Sequence, residues 1–195
     1  MTSHCLAIAA LVVASSTAFA DEPSRLVTAS WLTAHIKDPD LVLLHVGDAD
    51  AFTREHIPGA RRVGLDAIST SVHDGTGLML ELPPPEVLRA RLEELGISNR
   101  SRVVVYFGKD WVSPATRVVF TLDAAGLGDR VSLLDGGMPA WQRDGHPTEA
   151  GPAKPVRAGS VTAQPQPSLV VSAEWVESHF HKPGIALLDA RMLGF

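Results

Sequence analysis

Apolar positions along the chain fall into two alternating rhythms, one of helical period and one of unbroken short runs. From Thr28 the period is helical: Trp31, Leu32 and His35/Ile36 share a face, and Thr28 stands where it can cap a helix running to about Ile36. Leu41 to Val46 is a continuous apolar run, the pattern of a strand buried on both faces. A turn at Ile57-Pro58-Gly59 and a short strand near Arg62-Val63 follow, then a polar, loop-like stretch from Ser71 to Gly77. Pro83, Pro84 and Pro85 open a helix with Val87, Leu88, Leu92 and Leu95 on its apolar face, and Gly96 ends it. Arg102 to Phe107 is the next buried strand. Ser113-Pro114 reads as an N-cap and first helical residue, with the helix running to about Ala125 and closed by Gly126. Val131 to Leu134 is a further strand, Gly136-Gly137 a tight turn, and a short helix carrying Trp141 ends near Gly145. Strands alternating with helices over short loops predict an α/β fold, with a mainly parallel sheet and helices on both faces.

Glu149 to Ser168 breaks the rhythm. It holds Pro152, Pro155, Pro165 and Pro167 and reads as a linker, extended where proline is dense. Beyond it the opening pattern returns. Leu26 to Gly47 aligns without a gap on Val170 to Arg191, at a period of 144 residues. Val27/Val171, Ala29/Ala173, Trp31/Trp175, His35/His179, Pro39/Pro183, Leu43/Leu187 and Leu44/Leu188 match. Such a repeat implies two similar domains. The expected organisation is one complete domain over 24–148, the linker over 149–168, and the truncated start of a second domain over 169–195. Ser172 would cap a second copy of the first helix, and Ile185 to Ala190 would be a second copy of the first strand. That last piece is shorter than the ~40 residues an independent core needs. It should therefore dock on the first domain or be poorly ordered, and leave apolar surface exposed.

Composition narrows the function. The chain is 45% hydrophobic and 20% charged, ordinary for a globular protein. A net charge of -5 offers no basic face for phosphates, so nucleic acid is not an expected partner. No apolar run reaches the ~18 residues of a membrane span. Residues 1–20 read as a signal peptide: Cys5 to Val13 is apolar, and Ala18-Phe19-Ala20 is a small-x-small cleavage site. A disordered or core-packing tail is the alternative. The expected mature chain starts near Asp21 in an exported, periplasmic compartment. Cys5, the single cysteine, leaves with that peptide, so no disulfide, thiolate metal site or cysteine nucleophile remains. His179-Phe180-His181 lacks a third ligand at usable spacing, so no metal is expected. Neither a phosphate loop nor a dinucleotide fingerprint is present, and no cofactor is implied.

Four features together resemble the tandem rhodanese-type sulfurtransferases, the thiosulfate and 3-mercaptopyruvate sulfurtransferase family. They are Glu55-His56-Ile57-Pro58-Gly59-Ala60 after a strand, Val103 to Tyr106 leading into a loop, Leu134-Asp135-Gly136-Gly137 followed by Trp141, and the repeated first strand. The resemblance covers Ser24 to Phe195 and implies a rhodanese-like three-layer sandwich. Read from the residues alone, the first and third motifs shape the fold. Pro58-Gly59 sets a turn, His56 reads as a satisfied turn or core histidine, and Trp141 covers the end of the core.

The family's chemistry lies in the loop after the Val103-to-Tyr106 type of strand. There, backbone N–H groups and a helix N-terminus stabilise a cysteine thiolate or persulfide. That sulfur passes from donor to acceptor by exchange at sulfur. The corresponding loop here is Gly108, Lys109, Asp110, Trp111, Val112 and Ser113, with no cysteine. Ser113 cannot hold a transferable sulfur, and Asp110 repels an anionic donor. The resemblance makes this the non-catalytic first domain, with a vestigial loop that is either an anion cradle or a plain connection. It also aligns Arg191 with a donor-binding arginine of active second domains, although Arg191 is equally an ordinary surface or ion-pair arginine. The first copy has His45 and Gly47 where the second has Asp189 and Arg191. Asp66 aligns with an acidic position in first domains of mercaptopyruvate sulfurtransferases and is equally a helix or turn cap. His73 is nearby at a spacing that does not match. Arg61-Arg62 reads as a solvated pair at a strand edge.

Two functions from different classes follow. In one, the chain is the N-terminal part of an exported sulfurtransferase that takes a small anionic sulfur donor and a thiophilic acceptor, and is inactive alone. In the other, it is complete, catalytically inactive, and a module that binds an anion or a protein partner.

Overall fold

Among the described residues, five short strands, all paired in parallel, carry the architecture. They are β1 (Leu26–Val27), β2 (Leu41–Val46), β3 (Arg61–Val63), β4 (Arg102–Phe107) and β5 (Val131–Leu134), in spatial order β1-β5-β4-β2-β3. The computed structural model describes residues 24–71, 79–109, 111–162 and 164–189. The signal-peptide reading of 1–20, the Ser71 to Gly77 loop apart from Ser71, and His73, Asp110 and Arg191 fall outside them.

β2 and β4 read as unbroken apolar runs because both faces are covered. Val42, Leu44, Val46, Val103 and Val105 pack on one side. They meet Ile68 of α3 (Leu65–Ile68), Leu88 and Leu92 of α4 (Pro85–Glu94), and Ala115, Val118 and Leu122 of α5 (Val112–Leu122). Leu43, Val104 and Tyr106 point the other way. They meet Leu32 of α1 (Ala29–His35), Phe52 of α2 (Ala49–Arg54), and Met138 and Trp141 of α6 (Gly137–Arg143). Successive strand residues point to opposite faces, so one run feeds two cores. The result is the expected three-layer α/β sandwich, and every strand pairing in it is parallel.

The sequence reading departs from this structure in a few places. β1, α2 and α3 span two, six and four residues, too short to show a period. Ser113 is not the cap of α5. The helix begins at Val112 after Trp111, which supplies no side-chain cap, and Ser113 is its second residue. The first four N–H groups of any helix lack intrahelical partners, so Pro114 sits one place further in without costing a bond. Arg61 is not a solvated residue. It is half-buried, and its guanidinium donates to the Leu95 carbonyl, tying β3 to the end of α4. Burial lowers its pKa from the usual arginine range.

The described residues of the proline-rich segment form no regular helix or strand before the short 3-10 turn at Pro167–Leu169, and the segment is fastened to the sheet domain at several points. The Gly159 N–H donates to Glu93 O (2.8 Å), and a Cβ at 159 would stand 1.8 Å from the Ile97 carbonyl oxygen. Thr162 exchanges two hydrogen bonds with Asn99 (2.6 and 2.8 Å), and Val161 is only 3% exposed. After it comes α7 (Ala173–His179), capped by Ser172 as expected and without a buried residue. The expected second strand is not formed: residues 185–189 have no strand conformation, and Leu188 is 87% exposed. A parallel strand needs neighbours to take its N–H and C=O groups, and among the described residues no strand pairs with 185–189. Apolar side chains from Leu169 to Leu188 stay exposed, as the sequence led one to expect.

Candidate functional site

The strand order reverses direction between β2 and β4. From β2 the chain moves outward to β3; from β4 it moves the other way to β5. In open α/β sheets the crevice beyond the carboxyl ends of two such strands is the place where ligands bind. A cleft of about 400 Å³ lies there, with His45 from β2 and Gly108 and Lys109 from the end of β4 in its wall. Arg54 and Glu55 from the end of α2, Met138 of α6, and Thr148 and Glu149 also line it.

Local sequence accounts for each wall. Beyond β2 the Asp48 carboxylate caps α2, accepting from the N–H of Asp50 (2.9 Å) and Ala51 (3.0 Å). Those bonds, chiefly the one from Ala51, hold its carboxyl below the usual range, with Arg54 and Arg62 adding to the effect. α2 runs into Glu55-His56-Ile57-Pro58-Gly59, and hydrogen bonds hold this turn at His56, Ile57 and Gly59. His56 is 2% exposed, stacks on Phe52 at 3.9 Å, and donates from Nδ1 to Phe52 O (2.8 Å). Its Nε2 lies 3.4 Å from Glu149 Oε1. The Ile57 N–H donates to the Tyr106 hydroxyl (3.1 Å), and burial pushes that phenol's pKa up. Gly59 takes the left-handed conformation (φ 79°) that favours glycine, and its N–H donates to Glu149 Oε1 (2.8 Å). His56 is thus the satisfied turn histidine that the sequence suggested.

The second motif is equally structural. Gly136 and Gly137 both have positive φ, and a Cβ at 137 would stand 2.8 Å from the Phe107 ring, so α6 can close onto β4 only with glycine there. Trp141 is 1% exposed and donates from Nε1 to Pro147 O (2.8 Å).

His45 is different in kind. It is 1% exposed, its ring meets Phe52 and Tyr106 edge-on at 5.2 and 4.9 Å, and neither ring nitrogen has a hydrogen-bond partner among the described residues. Burial, then the nearby His56 and Arg62, push its pKa down to about 4, so the ring is neutral at pH 7. A Cβ at Gly47 would stand 2.6 Å from His45 Nε2, which excludes any larger residue at 47 while His45 holds this position.

Of the loop singled out from sequence, Gly108 and Lys109 reach the cleft. Trp111 is 65% exposed, Val112 and Ser113 are also exposed, and none of the three lines it. Asp110 lies outside the described residues. Asp66 is exposed in the first turn of α3, away from the cleft wall, and its carboxylate folds back toward Gly64. Arg191 lies outside the described residues. Sequence reasoning missed Arg54, Thr148 and Glu149 as cleft residues. Arg54, directly before the Glu55 motif, was the one with a readable signal. No cluster of three or more metal-ligating side chains occurs among the described residues, and no described helix is long and apolar enough to cross a membrane.

A family model described as a rhodanese-like domain matches residues 28–144. A probable 3-mercaptopyruvate sulfurtransferase of Pseudomonas aeruginosa is 33% identical over 177 residues, covering 86% of this chain and 62% of its own length. The 3-mercaptopyruvate sulfurtransferase of Escherichia coli K12 is 30% identical over 175 residues, covering 85% and 60%. In three dimensions, the crystal structure of SseA from Escherichia coli, a 3-mercaptopyruvate sulfurtransferase by its description, superposes with a TM-score of 0.68 at 28% identity. That match covers 80% of this chain and 63% of SseA. The chain spans about three fifths of the length of the curated relatives it matches. On its sheet order, its motif turns and its matched span, the chain belongs to the rhodanese-like family, homologous to the 3-mercaptopyruvate and thiosulfate sulfurtransferases.

Proposed function

We propose that this chain is the non-catalytic portion of an exported sulfurtransferase. The whole protein moves sulfane sulfur from thiosulfate or 3-mercaptopyruvate to a thiophilic acceptor, through a cysteine persulfide carried outside residues 1–195. The observation that carries this reading is the loop after β4. It occupies the position where a rhodanese-type site holds its sulfur, and between Gly108 and Ser113 it contains no thiol. Only a thiolate can accept and release sulfane sulfur by exchange at sulfur. The Ser113 hydroxyl cannot do so, and it sits exposed inside α5 rather than at the cleft. Two supports stand beside it. The relatives are longer than this chain, and α7 repeats the cap and turn of α1. The apolar run and Ala18-Phe19-Ala20 support export of the protein. Arg191 would anchor the anionic donor as a guanidinium, and Asp66 would act from the first domain on that site.

The test compares the isolated chain with the protein purified from its native source, both given cyanide with thiosulfate or 3-mercaptopyruvate. The native protein should have a mass larger than 195 residues allow and should form thiocyanate, while the isolated chain forms none. Thiocyanate from the isolated chain that survives Cys5→Ala would overturn the reading.

A further inference from the structure

The two copies of the opening segment differ where they meet the rest of the molecule. In the first, β1 is an edge strand paired with β5, Leu26 opposite Leu133 and Val27 opposite Leu134. Val27 is 7% exposed. Arg25, just before the strand, ion-pairs with Asp123 at 3.1 Å on the surface. The residues 144 positions later are Leu169, Val170 and Val171. Among the described residues no strand pairs with them, and Val171 is 46% exposed. A leucine stands where the first copy has its ion-pairing arginine. A position that meets water in one copy is therefore apolar in the other, at the edge of a larger exposed apolar patch, and such patches mark surfaces that pack against something.

The patch has a defined shape. A hollow of about 560 Å³ opens between Leu169, Val170 and Val171 on one side and Met79, Leu80 and Phe120 on the other. All six side chains are exposed. Arg117 fixes the far wall: its guanidinium donates to the Leu80 carbonyl and lies 5.9 Å from the Phe120 ring. The two charged residues lining the hollow, Arg117 and Glu81, have opposite signs, so it favours an apolar occupant over an ionic one. At Leu82 and Val170 it adjoins a second apolar cavity of about 290 Å³ under the proline-rich segment. It shares no residue with the cleft between β2 and β4.

A second copy of the chain, a separate protein or the chain's own continuation could cover such a face. The place of Val171 favours the continuation. Ser172 and α7 follow it directly, so whatever completes the second sheet is tethered at the hollow without a spacer. A tethered segment acts at an effective concentration that a free partner does not reach. The length for it exists in the relatives, of which this chain covers 62% and 60%.

We propose that the rest of the second repeat packs on this hollow: its counterpart of β5 pairs with Val170 and Val171, and its apolar side chains close over Met79, Leu80, Phe120 and Leu169. The proposal rests on the reading that the whole protein continues past residue 195. In the first copy the pairing of β1 with β5 buries Val27; the same pairing in the second copy buries Val171. The leucine at 169 then lies in an interface, where the arginine of the first copy would be desolvated without its Asp123 partner.

The test is hydroxyl-radical footprinting read by mass spectrometry, on the 195-residue chain and on the protein purified from its native source. Met79 and Phe120 should oxidise several-fold more slowly in the native protein, while Leu26, exposed on β1 and outside the hollow, reacts equally in both. A native protein longer than 195 residues whose Met79 and Phe120 react as fast as in the isolated chain overturns the proposal and leaves the sulfurtransferase reading standing. A native protein no longer than 195 residues overturns both. Leu169→Arg, which restores the residue type of the first copy, gives a second measurement. It should lower the thermal midpoint of the longer protein by at least about 2 °C and leave that of the isolated chain unchanged. Equal shifts in the two, or no shift in the longer protein, also overturn the proposal.

Discussion

The helix and turn from Thr28 to Leu41 and those from Ser172 to Ile185 are the same structure in two settings. Thr28 Oγ1 accepts from Trp31 N at 3.1 Å, and Ser172 Oγ accepts from Trp175 N at 3.2 Å. Trp31 stacks on His35 at 4.0 Å, and Trp175 on His179 at 4.2 Å. Each histidine donates from Nδ1 to the tryptophan carbonyl at 2.8 Å. The chain leaves the first helix through Asp38 N to His35 O and Leu41 N to Asp38 O. It leaves the second through Lys182 N to His179 O and Ile185 N to Lys182 O. At that point the two part. Leu41–Val46 becomes β2, held between β3 and β4, whereas residues 185–189 form no strand. Caps, stacks and turns close within a few residues and need nothing else. A strand's hydrogen bonds are all non-local and appear only where neighbours are present.

The largest test of this contrast places a charge at equivalent strand positions. Leu44 is fully buried and Leu188 is 87% exposed. Leu44→Asp should leave the chain unfolded, since an unpaired buried carboxylate costs several kcal/mol against a total stability of about 5–15 kcal/mol. Leu188→Asp should leave the thermal midpoint unchanged. A cooperative melt in the first variant, or a lost one in the second, breaks the comparison. A smaller version uses the helices. Leu32→Ala removes a side chain with no exposed surface and should cost about 2–5 kcal/mol in urea unfolding. Val176→Ala, its counterpart on α7, should stay within about 0.5 kcal/mol.

The same division explains what could be read in the sequence. β2, β4 and β5, and the helices α1 and α4, carry their period in consecutive residues, and their positions were legible. β1, α2 and α3 are too short for a period, and α2 in particular is set by the Asp48 cap. The turn motifs at Glu55–Ala60 and Gly136–Trp141 announced themselves because stiff and permissive residues adjoin in sequence. The state of His45 did not. It depends on Phe52, Tyr106, Gly47 and Gly108 arriving from separate stretches, and on two strand ends meeting only after the sheet forms. Arg61 misled for the same reason: its acceptor, the Leu95 carbonyl, is 34 residues away.

His45 gives a third test, of intermediate size. Its native pKa is about 4, below the ordinary 6.5 of the unfolded chain, because of burial and the nearby His56 and Arg62. As pH falls below 6.5 the unfolded chain takes up a proton at this position and the native one does not. Stability contributed at neutral pH is therefore lost between pH 6.5 and pH 4, by about 3 kcal/mol at ~1.4 kcal/mol per pH unit. Asp189, its counterpart in the second copy, lies in exposed chain and has no such burial. His45→Phe should flatten the decline of urea stability across that window. An unchanged slope in the variant would break the assignment of a buried neutral ring.

The smallest expected effect sharpens the comparison most, because it separates local order from global stability at matched positions. Thr28 and Ser172 make the same capping bond, and replacing such a residue by alanine costs about 1 kcal/mol. In Thr28→Ala that loss falls on a helix whose Ala29 and Leu32 are buried in the core, so it should lower the global unfolding free energy by that amount and leave α1 formed. In Ser172→Ala it falls on a seven-residue helix with no buried residue, and helices of that length are marginal in water. The variant should therefore lose amide protection and helical chemical shifts over Ala173 to His179 while its global unfolding free energy stays at the parent value. If Ser172→Ala lowers global stability as much as Thr28→Ala does, α7 is packed into the fold, and the difference between the two copies is not one of tertiary setting.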